Sequence, residues 1–196
     1  MSSFFNNDEV IVHQLLKPYA PFELDALRQL ADSQVGSFLE RDGWRIWADR
    51  EGLLLVPYAD EDPFRAQPVA TTQQIPIWDG EVWHTAAELR LTELRKRPSD
   101  LGSALEPVTL EIPSTALWRT WLEGDVIHPL GLKGRKKVSD ALTEAKVPSP
   151  VRRDVVVLAS SEAPGEVLWI PGIRLSQALA VPSDAAHVLR WTVNYL

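Results

Sequence analysis

The sequence has 196 residues, of which 45% are hydrophobic and 24% charged, and its formal net charge is −7. These values are ordinary for a globular protein, and the absence of cysteine excludes disulfides and thiolate metal sites. The N-terminus lacks the basic start and apolar core of a secretion signal, and no run approaches the ~18 apolar residues of a membrane span. We therefore expect a soluble, cytoplasmic protein with no membrane partner.

The first predicted elements are helices. The segment NNDEVIVHQLLKPY has apolar residues near helical spacing after an Asn/Asp start signal, and Pro18 should end that helix. The segment FELDALRQLAD, residues 22–32, repeats the pattern with Leu24, Leu27 and Leu30. The sequence thus begins with a short helical segment.

A β meander is predicted next, over residues 37–57, with turns at Asp42-Gly43 and Glu51-Gly52. Trp44 and Ile46 alternate in it with Arg45 and Trp47, which places the two pairs on opposite faces. The acidic, proline-bearing residues 58–68 are predicted to be a linker. The cluster at 60–62 within them could bind a cation, but a solvated linker explains it better.

The rest of the chain is predicted to be mostly strands. Their expected positions are 74–78, 107–112, 117–122, 154–159, 166–170 and 187–193. One helix is predicted over 136–146, with Val138, Ala141, Leu142 and Ala145 on one side. The predicted fold class is α+β: a short N-terminal helical segment and β meander, followed by a β-rich C-terminal module with one main helix.

Residues that could carry chemistry are scattered. His13, His84, His128 and His187 show no metal-ligand spacing, and no nucleotide-cradling glycine loop or Gly-x-Ser-x-Gly elbow is present. Tryptophans can stack on bases. However, Trp44, Trp118, Trp121 and Trp169 lie within apolar strand patterns, which favours core packing. No catalytic or metal site is predicted.

Charge is spread unevenly along the chain. Residues 1–116 hold 10 Lys and Arg against 19 Asp and Glu, whereas residues 117–196 hold 10 against 8. The negative net charge of the whole chain argues against indiscriminate nucleic-acid binding, and we expect no DNA partner. The asymmetry nevertheless allows the C-terminal part to meet a polyanion.

Four basic residues precede the helix predicted over 136–146: Lys133, Arg135, Lys136 and Lys137. Positive charges at a helix start are unfavourable unless an anion binds there, and the unpaired N–H groups of that turn favour a phosphate. The alternative is that these side chains project into solvent and balance Asp140 and Glu144.

Two long segments carry a family resemblance. GDVIHPLGLKGRKKVSDALTEAKVPSPVRRDVVVL and GEVLWIPGIRLSQALAV together resemble the C-terminal domain of bacterial tRNA(Ile)-lysidine synthase. The shared features are Pro-Leu-Gly, Gly-x-Lys-Lys-x-Ser-Asp, Lys-Val-Pro, an Arg before a Val-rich strand, and Trp-x-x-Gly-x-Arg, in that order across 124–181. The segment from Leu15 to Val56 is similar to the helices and β meander that precede this domain in the same enzymes.

The resemblance implies an activity for the whole enzyme and a narrower role for this chain. The family uses ATP and Mg to ligate lysine to the wobble cytidine of a minor isoleucine tRNA. Its PP-loop ATPase domain, with a Ser-Gly-Gly-x-Asp-Ser loop, has no counterpart in these 196 residues. We therefore expect no cofactor here and leave enzymatic activity open. The chain is expected to be a fragment or a free-standing module.

The resemblance also implies a domain assignment and a set of site residues. Residues 1–60 would be the end of the substrate-binding domain. Residues 61–196 would be the C-terminal tRNA-recognition domain, a β-rich module also seen within phenylalanyl-tRNA synthetase. The expected tRNA-binding residues are Lys133, Arg135, Lys136, Lys137, Arg152, Arg153 and Arg174. The alternative function is a non-catalytic interaction module that docks a separate PP-loop ATPase subunit.

Overall fold

The computed structural model describes residues 22–50, 52–57 and 64–196. The helix predicted to end at Pro18 and the acidic cluster at 60–62 lie outside these residues. By its internal contacts the chain divides into two compact units, residues 1–61 with 148–150 and residues 62–147 with 151–196. The predicted domain assignments stay predictions.

In the first unit, helix α1 and three antiparallel strands form a small layered structure. Their bounds are α1 Leu24–Ala31, β1 Phe38–Arg41, β2 Trp44–Asp49 and β3 Gly52–Pro57. Leu27 and Leu30 of α1 are buried with Ile46 and Ala48 of β2, and Trp44 packs partly against them. The predicted helix, meander and alternation of faces are confirmed. The second turn starts one residue early, because Gly52 already pairs with Asp49 in the ladder.

The second unit is β-rich. Its elements are β4 Gln67–Pro68, β5 Thr72–Trp78, β6 Trp83–Leu94, β7 Val108–Thr109, β8 Ala116–Thr120, β9 Val126–Ile127, β10 Lys136–Lys137, α2 Val138–Glu144, β11 Val156–Ser160, β12 Glu166–Ile170, β13 Arg174–Leu175, a 3₁₀ turn Gln177–Leu179 and β14 Val188–Tyr195. A further 3₁₀ turn, Ser149–Asp154, has its first two residues in the first unit and the rest in the second. A mostly β fold with few helices is therefore confirmed among the described residues.

Two sheets and one helix form the layers of this unit. One sheet has the order β5-β6-β14-β7, and the other has the order β10-β9-β12-β11-β8-β4 with β13 beside β12. Pairing is antiparallel except between β9 and β12, which are parallel. Buried residues of the two sheets share one core, and α2 packs in a second core with residues of β9, β11 and β12. Because β11 contributes to both cores, its side chains are buried on both faces.

Three fully buried tryptophans form the centre of the first core. The ring centroids of Trp118 and Trp169 are 5.6 Å apart, and Trp191 lies 5.8 Å from Trp118 and 5.2 Å from Trp169. The Trp169 indole N–H donates to the carbonyl of Ala104 at 2.7 Å. The prediction that Trp118 and Trp169 belong to the core is confirmed. Trp44 and Trp121 are partly buried against other cores.

Several predicted boundaries are wrong. The helix predicted over 136–146 begins at Val138 and ends at Glu144, because Lys136 and Lys137 pair with Ile127 and Val126 as strand β10. The strand predicted over 107–112 is reduced to β7. The predicted linker ends earlier than expected, since Phe64 is buried in the first core. Within the described residues, no helix is long and apolar enough to cross a membrane.

Candidate nucleic-acid interface

The loop between β9 and β10 carries the cluster of basic residues, and its first half is fixed by hydrogen bonds. The N–H of Leu130 donates to the carbonyl of Leu175 at 2.8 Å, and the N–H of Gln177 donates to the carbonyl of His128 at 2.8 Å. The N–H of Gly131 donates to the Gln177 side chain at 3.2 Å. These contacts hold the start of the loop against β13 and the 3₁₀ turn after it.

Beyond that anchor the loop projects its side chains into solvent. Gly131 and Gly134 have φ of +76° and +92°, a left-handed conformation that glycine adopts without steric cost. Lys133 and Arg135 between and after them are exposed. Leu132 is also 58% exposed, so the tip of the loop offers apolar as well as basic surface.

A buried ion pair fixes the strand on which the loop begins. Arg119 of β8 donates to both carboxylate oxygens of Asp125, at 2.7 and 3.0 Å. The same carboxylate accepts the N–H of Leu122, and the carbonyl of Asp125 accepts the N–H of Val138, the first residue of α2. Charged bidentate pairs of this kind are strong and directional. Sequence reasoning missed this pair, since a lone Asp before a two-residue strand gives no signal of an Arg six residues earlier.

The start of α2 does not carry the cluster as predicted. Lys137 is the N-cap residue, its side chain makes no capping hydrogen bond, and Lys136 belongs to β10. The first turn of α2 instead holds Asp140, whose negative charge is favourable at the N-terminus of a helix. The basic residues are thus not misplaced on a helix, because they lie on the loop and strand that precede it.

The structure separates the seven predicted contact residues into groups. Lys133, Arg135 and Lys137 are exposed, and their side chains make no hydrogen bond or ion pair with any other described residue. Lys136 and Arg174 both face Glu144: Lys136 hydrogen-bonds one carboxylate oxygen, and Arg174 lies 3.7 Å from the other. Three of the seven are therefore available to an anion without breaking any contact.

The other two predicted residues, Arg152 and Arg153, lie in the 3₁₀ turn after α2. Arg152 donates from Nε to the carbonyl of Val147 at 2.9 Å and from Nη1 to the Thr143 hydroxyl at 3.3 Å. Its guanidinium therefore ties the turn to the end of α2. Arg153 is exposed and has its Nε 3.4 Å from the Asp154 carboxylate.

A surface groove is lined by three of these cations, one paired and two unpaired. Its lining residues are Gly124, Val126, Arg135, Lys136, Lys137, Asp140 and Glu144. The hydrogen bond from Lys136 holds the pKa of the Glu144 carboxyl below its ordinary value, and the charge of Arg174 adds to the effect. Glu144 is therefore ionised at neutral pH. Among the described residues, no group of three or more His, Asp or Glu side chains is placed to hold a metal ion.

Arg174 is positioned by a turn in which glycine is required. Gly172, between β12 and β13, has φ +76°, and a Cβ at that position would lie 1.9 Å from the carbonyl oxygen of Trp78. Its N–H donates to the carbonyl of Ala104 at 3.0 Å. The Trp-x-x-Gly-x-Arg motif thus combines a core tryptophan, a close backbone approach and a cation beside Glu144.

Comparisons with known proteins agree with the resemblance over the C-terminal part of the chain. Residues 117–191 match the family model of the TilS substrate C-terminal domain. The tRNA(Ile)-lysidine synthase of Parabacteroides distasonis is 34% identical over 87 residues, which is 44% of this chain and 18% of that protein. The enzyme of the same name from Bacillus subtilis is 35% identical over 75 residues, 37% of this chain and 16% of that protein. The chain spans less than a fifth of the length of these curated relatives.

A solved structure shares the fold. The crystal structure of a TilS C-terminal domain superimposes with a TM-score of 0.52 at 19% identity, and the match covers 67% of this chain and 97% of that one. The predicted resemblance to the C-terminal domain of tRNA(Ile)-lysidine synthase is therefore confirmed for this part of the chain.

Proposed function

We propose that the C-terminal part of the chain is a lysidine-synthase-type domain, and that its loop between β9 and β10, with the start of β10, binds the phosphate backbone of tRNA. The observation that carries the proposal is a set of three exposed, unpaired cations, Lys133 and Arg135 on one anchored loop and Lys137 on the strand that follows it. In this role the module holds the minor isoleucine tRNA while a separate PP-loop ATPase domain ligates lysine to its wobble cytidine with ATP and Mg. It works in the cytoplasm and belongs to the type of module also seen within phenylalanyl-tRNA synthetase.

Electrostatics supports phosphate as the ligand. An acidic protein attracts polyanions only where its own carboxylates are locally outnumbered, and here three basic side chains project from a short loop and the strand after it. Phosphate contacts fix the register of a nucleic acid and carry no sequence information. Selection of one tRNA species therefore belongs to other contacts, and this loop supplies affinity and position.

A binding titration tests the proposal. The 196-residue chain should bind the minor isoleucine tRNA and an unrelated elongator tRNA, with log K falling linearly as log salt rises. At about 0.9 per neutralised phosphate, three unpaired cations give a slope near −2.7. Filter binding or fluorescence anisotropy between 50 and 200 mM KCl would measure it. Absence of binding to both tRNAs at the lower salt concentration would contradict the proposal.

A second prediction concerns chemistry. The purified chain should neither consume ATP nor form lysidine, because nothing in its sequence resembles a loop that holds a triphosphate and Mg²⁺. Labelled lysine, ATP and tRNA incubated with the chain alone should give no label in acid-precipitable RNA, while a full-length lysidine synthase in the same buffer should give label. Incorporation by the chain alone would place catalysis within these 196 residues.

One observation favours the alternative function of docking an ATPase subunit. On the face of the meander away from α1, the cross-strand neighbours Phe38, Trp47 and Leu54 form an apolar row, with Phe38 46% and Leu54 37% exposed. Such a row fits a protein surface better than a nucleic acid. A reading frame with a Ser-Gly-Gly-x-Asp-Ser loop directly upstream of this one would support a split enzyme and a docking role.

A further inference from the structure

Glu144 bridges two of the cations expected to meet RNA. One carboxylate oxygen accepts a hydrogen bond from Lys136, and the other lies 3.7 Å from a guanidinium nitrogen of Arg174. The three residues come from β10, the last turn of α2 and β13. Glu144 is 55% exposed at its side chain, so solvent and a ligand can reach this bridge.

A carboxylate in this position resembles a phosphodiester in its charge and in its number of charged oxygens. Both groups carry one negative charge and offer two oxygens, each of which can take one cation. Lys137 and Arg135 line the same groove without a partner among the described residues. An RNA phosphate entering the groove therefore meets two open cations and one, Lys136, that already has an anion. Arg174 does not line the groove, but it lies beside Glu144, which does.

We propose that Glu144 is an internal competitor that occupies Lys136 and Arg174, keeps them from RNA phosphates, and so limits the affinity of this surface. The inference rests on the proposed function, since it concerns the same basic surface. Exposed ion pairs are weak. A phosphate therefore gains little net free energy by replacing the carboxylate, because each contact that it makes replaces an internal one. In the parent, Lys136 and Arg174 stay paired with Glu144. The surface binds less tightly than its number of basic residues implies.

Asp140 provides a matched control for Glu144. It lies on the same helix and lines the same groove, but it makes no ion pair with any described residue. Glu144→Gln and Asp140→Asn each remove one negative charge from the groove with little change in shape. Only the first releases two cations, so the difference between the variants isolates the competition from the general gain in positive potential.

The test compares salt dependences for the parent, Glu144→Gln and Asp140→Asn with one tRNA. We expect Glu144→Gln to bind about three- to fivefold tighter at 50 mM KCl, with a slope steeper by about 0.9 to 1.8 as one or two more cations reach phosphate. Asp140→Asn should stay within about twofold of the parent and keep its slope. Thermal unfolding should show that each variant folds, and Glu144→Ala offers a second variant with the same expectation.

A second readout separates failure of this inference from failure of the proposed function. On heparin-agarose, Glu144→Gln should elute at higher salt than both the parent and Asp140→Asn. If the parent fails to bind tRNA while this order of elution holds, the tRNA proposal is wrong and the competition stands. If the parent binds tRNA but the two variants coincide on tRNA and on heparin, the inference is overturned. Weaker binding by Glu144→Gln overturns it as well, because Glu144 would then be holding Lys136 and Arg174 in a productive position.

Discussion

Replacing Trp169 with alanine should destabilise the protein by about 3–5 kcal/mol, the cost of truncating a large buried aromatic side chain. Trp169 is fully buried between Trp118 and Trp191, and its indole N–H is bonded to the carbonyl of Ala104. The variant would leave a cavity between the two sheets and an unpaired carbonyl. Urea unfolding followed by tryptophan fluorescence and by far-UV circular dichroism measures the loss.

Two further variants show which part of Trp169 matters. Trp169→Phe keeps most of the ring but loses the hydrogen bond, so it should cost roughly 1–2 kcal/mol. Tyr195→Ala truncates an aromatic side chain that is 46% exposed and should cost much less than Trp169→Ala. If Trp169→Ala melts within a degree or two of the parent yet loses tRNA binding, Trp169 is a stacking platform and its assignment to the core is wrong.

The elements that could be predicted from sequence are those whose local pattern agrees with their burial. The meander can be predicted because Asp42-Gly43 forms a tight turn with both residues at positive φ, and the flanking side chains alternate between the two faces. Strand β11 was readable because a short valine-rich run is typical of a strand buried on both sides. In both segments the neighbouring residues supply most of the signal.

Strand β6 could not be predicted, and no prediction covered it. Its sequence WHTAAELRLTEL is rich in Ala, Leu, Glu and Arg, which favour helices. It is a strand because β5 and β14 pair with it on both sides and bury Ala87 and Leu89 in the first core. Its partner β14 lies about a hundred residues later, so tertiary pairing decides the conformation against local propensity.

The candidate site was predictable in composition but not in arrangement. The sequence shows that Lys133, Arg135, Lys136 and Lys137 are near one another, and the structure places them on one loop and strand. The sequence does not show that Glu144 faces both Lys136 and Arg174, since Arg174 is 30 residues away from Glu144 along the chain. The predicted start of α2 is wrong for a similar reason. The local sequence is compatible with a helix that begins at Lys136, but Lys136 and Lys137 pair with β9 as a strand.

The largest expected effect on binding comes from the three unpaired cations. The variant Lys133→Ala/Arg135→Ala/Lys137→Ala should bind tRNA at least tenfold more weakly at low salt, and its salt slope should flatten by up to about 2.7, about 0.9 per lost phosphate contact. The loss should be similar for the isoleucine and elongator tRNAs, because phosphate contacts position without specifying. The fold should be unaffected, since these exposed side chains make no bond to any described residue.

A matched variant distinguishes local contacts from total charge. Arg65, Arg95 and Lys96 are also exposed and lie outside the basic loop and its groove, and replacing all three with alanine removes the same charge. If the loop residues contact phosphates, this control should keep nearly the parent's salt slope, and the loop variant should lose most of it. If the two variants lose the same small amount of affinity and of salt slope, tRNA binding depends on the net charge of the protein alone. A loop variant with the parent's affinity and slope would leave Lys133, Arg135 and Lys137 as an ordinary solvated surface, and the phosphate-binding role would have to be abandoned.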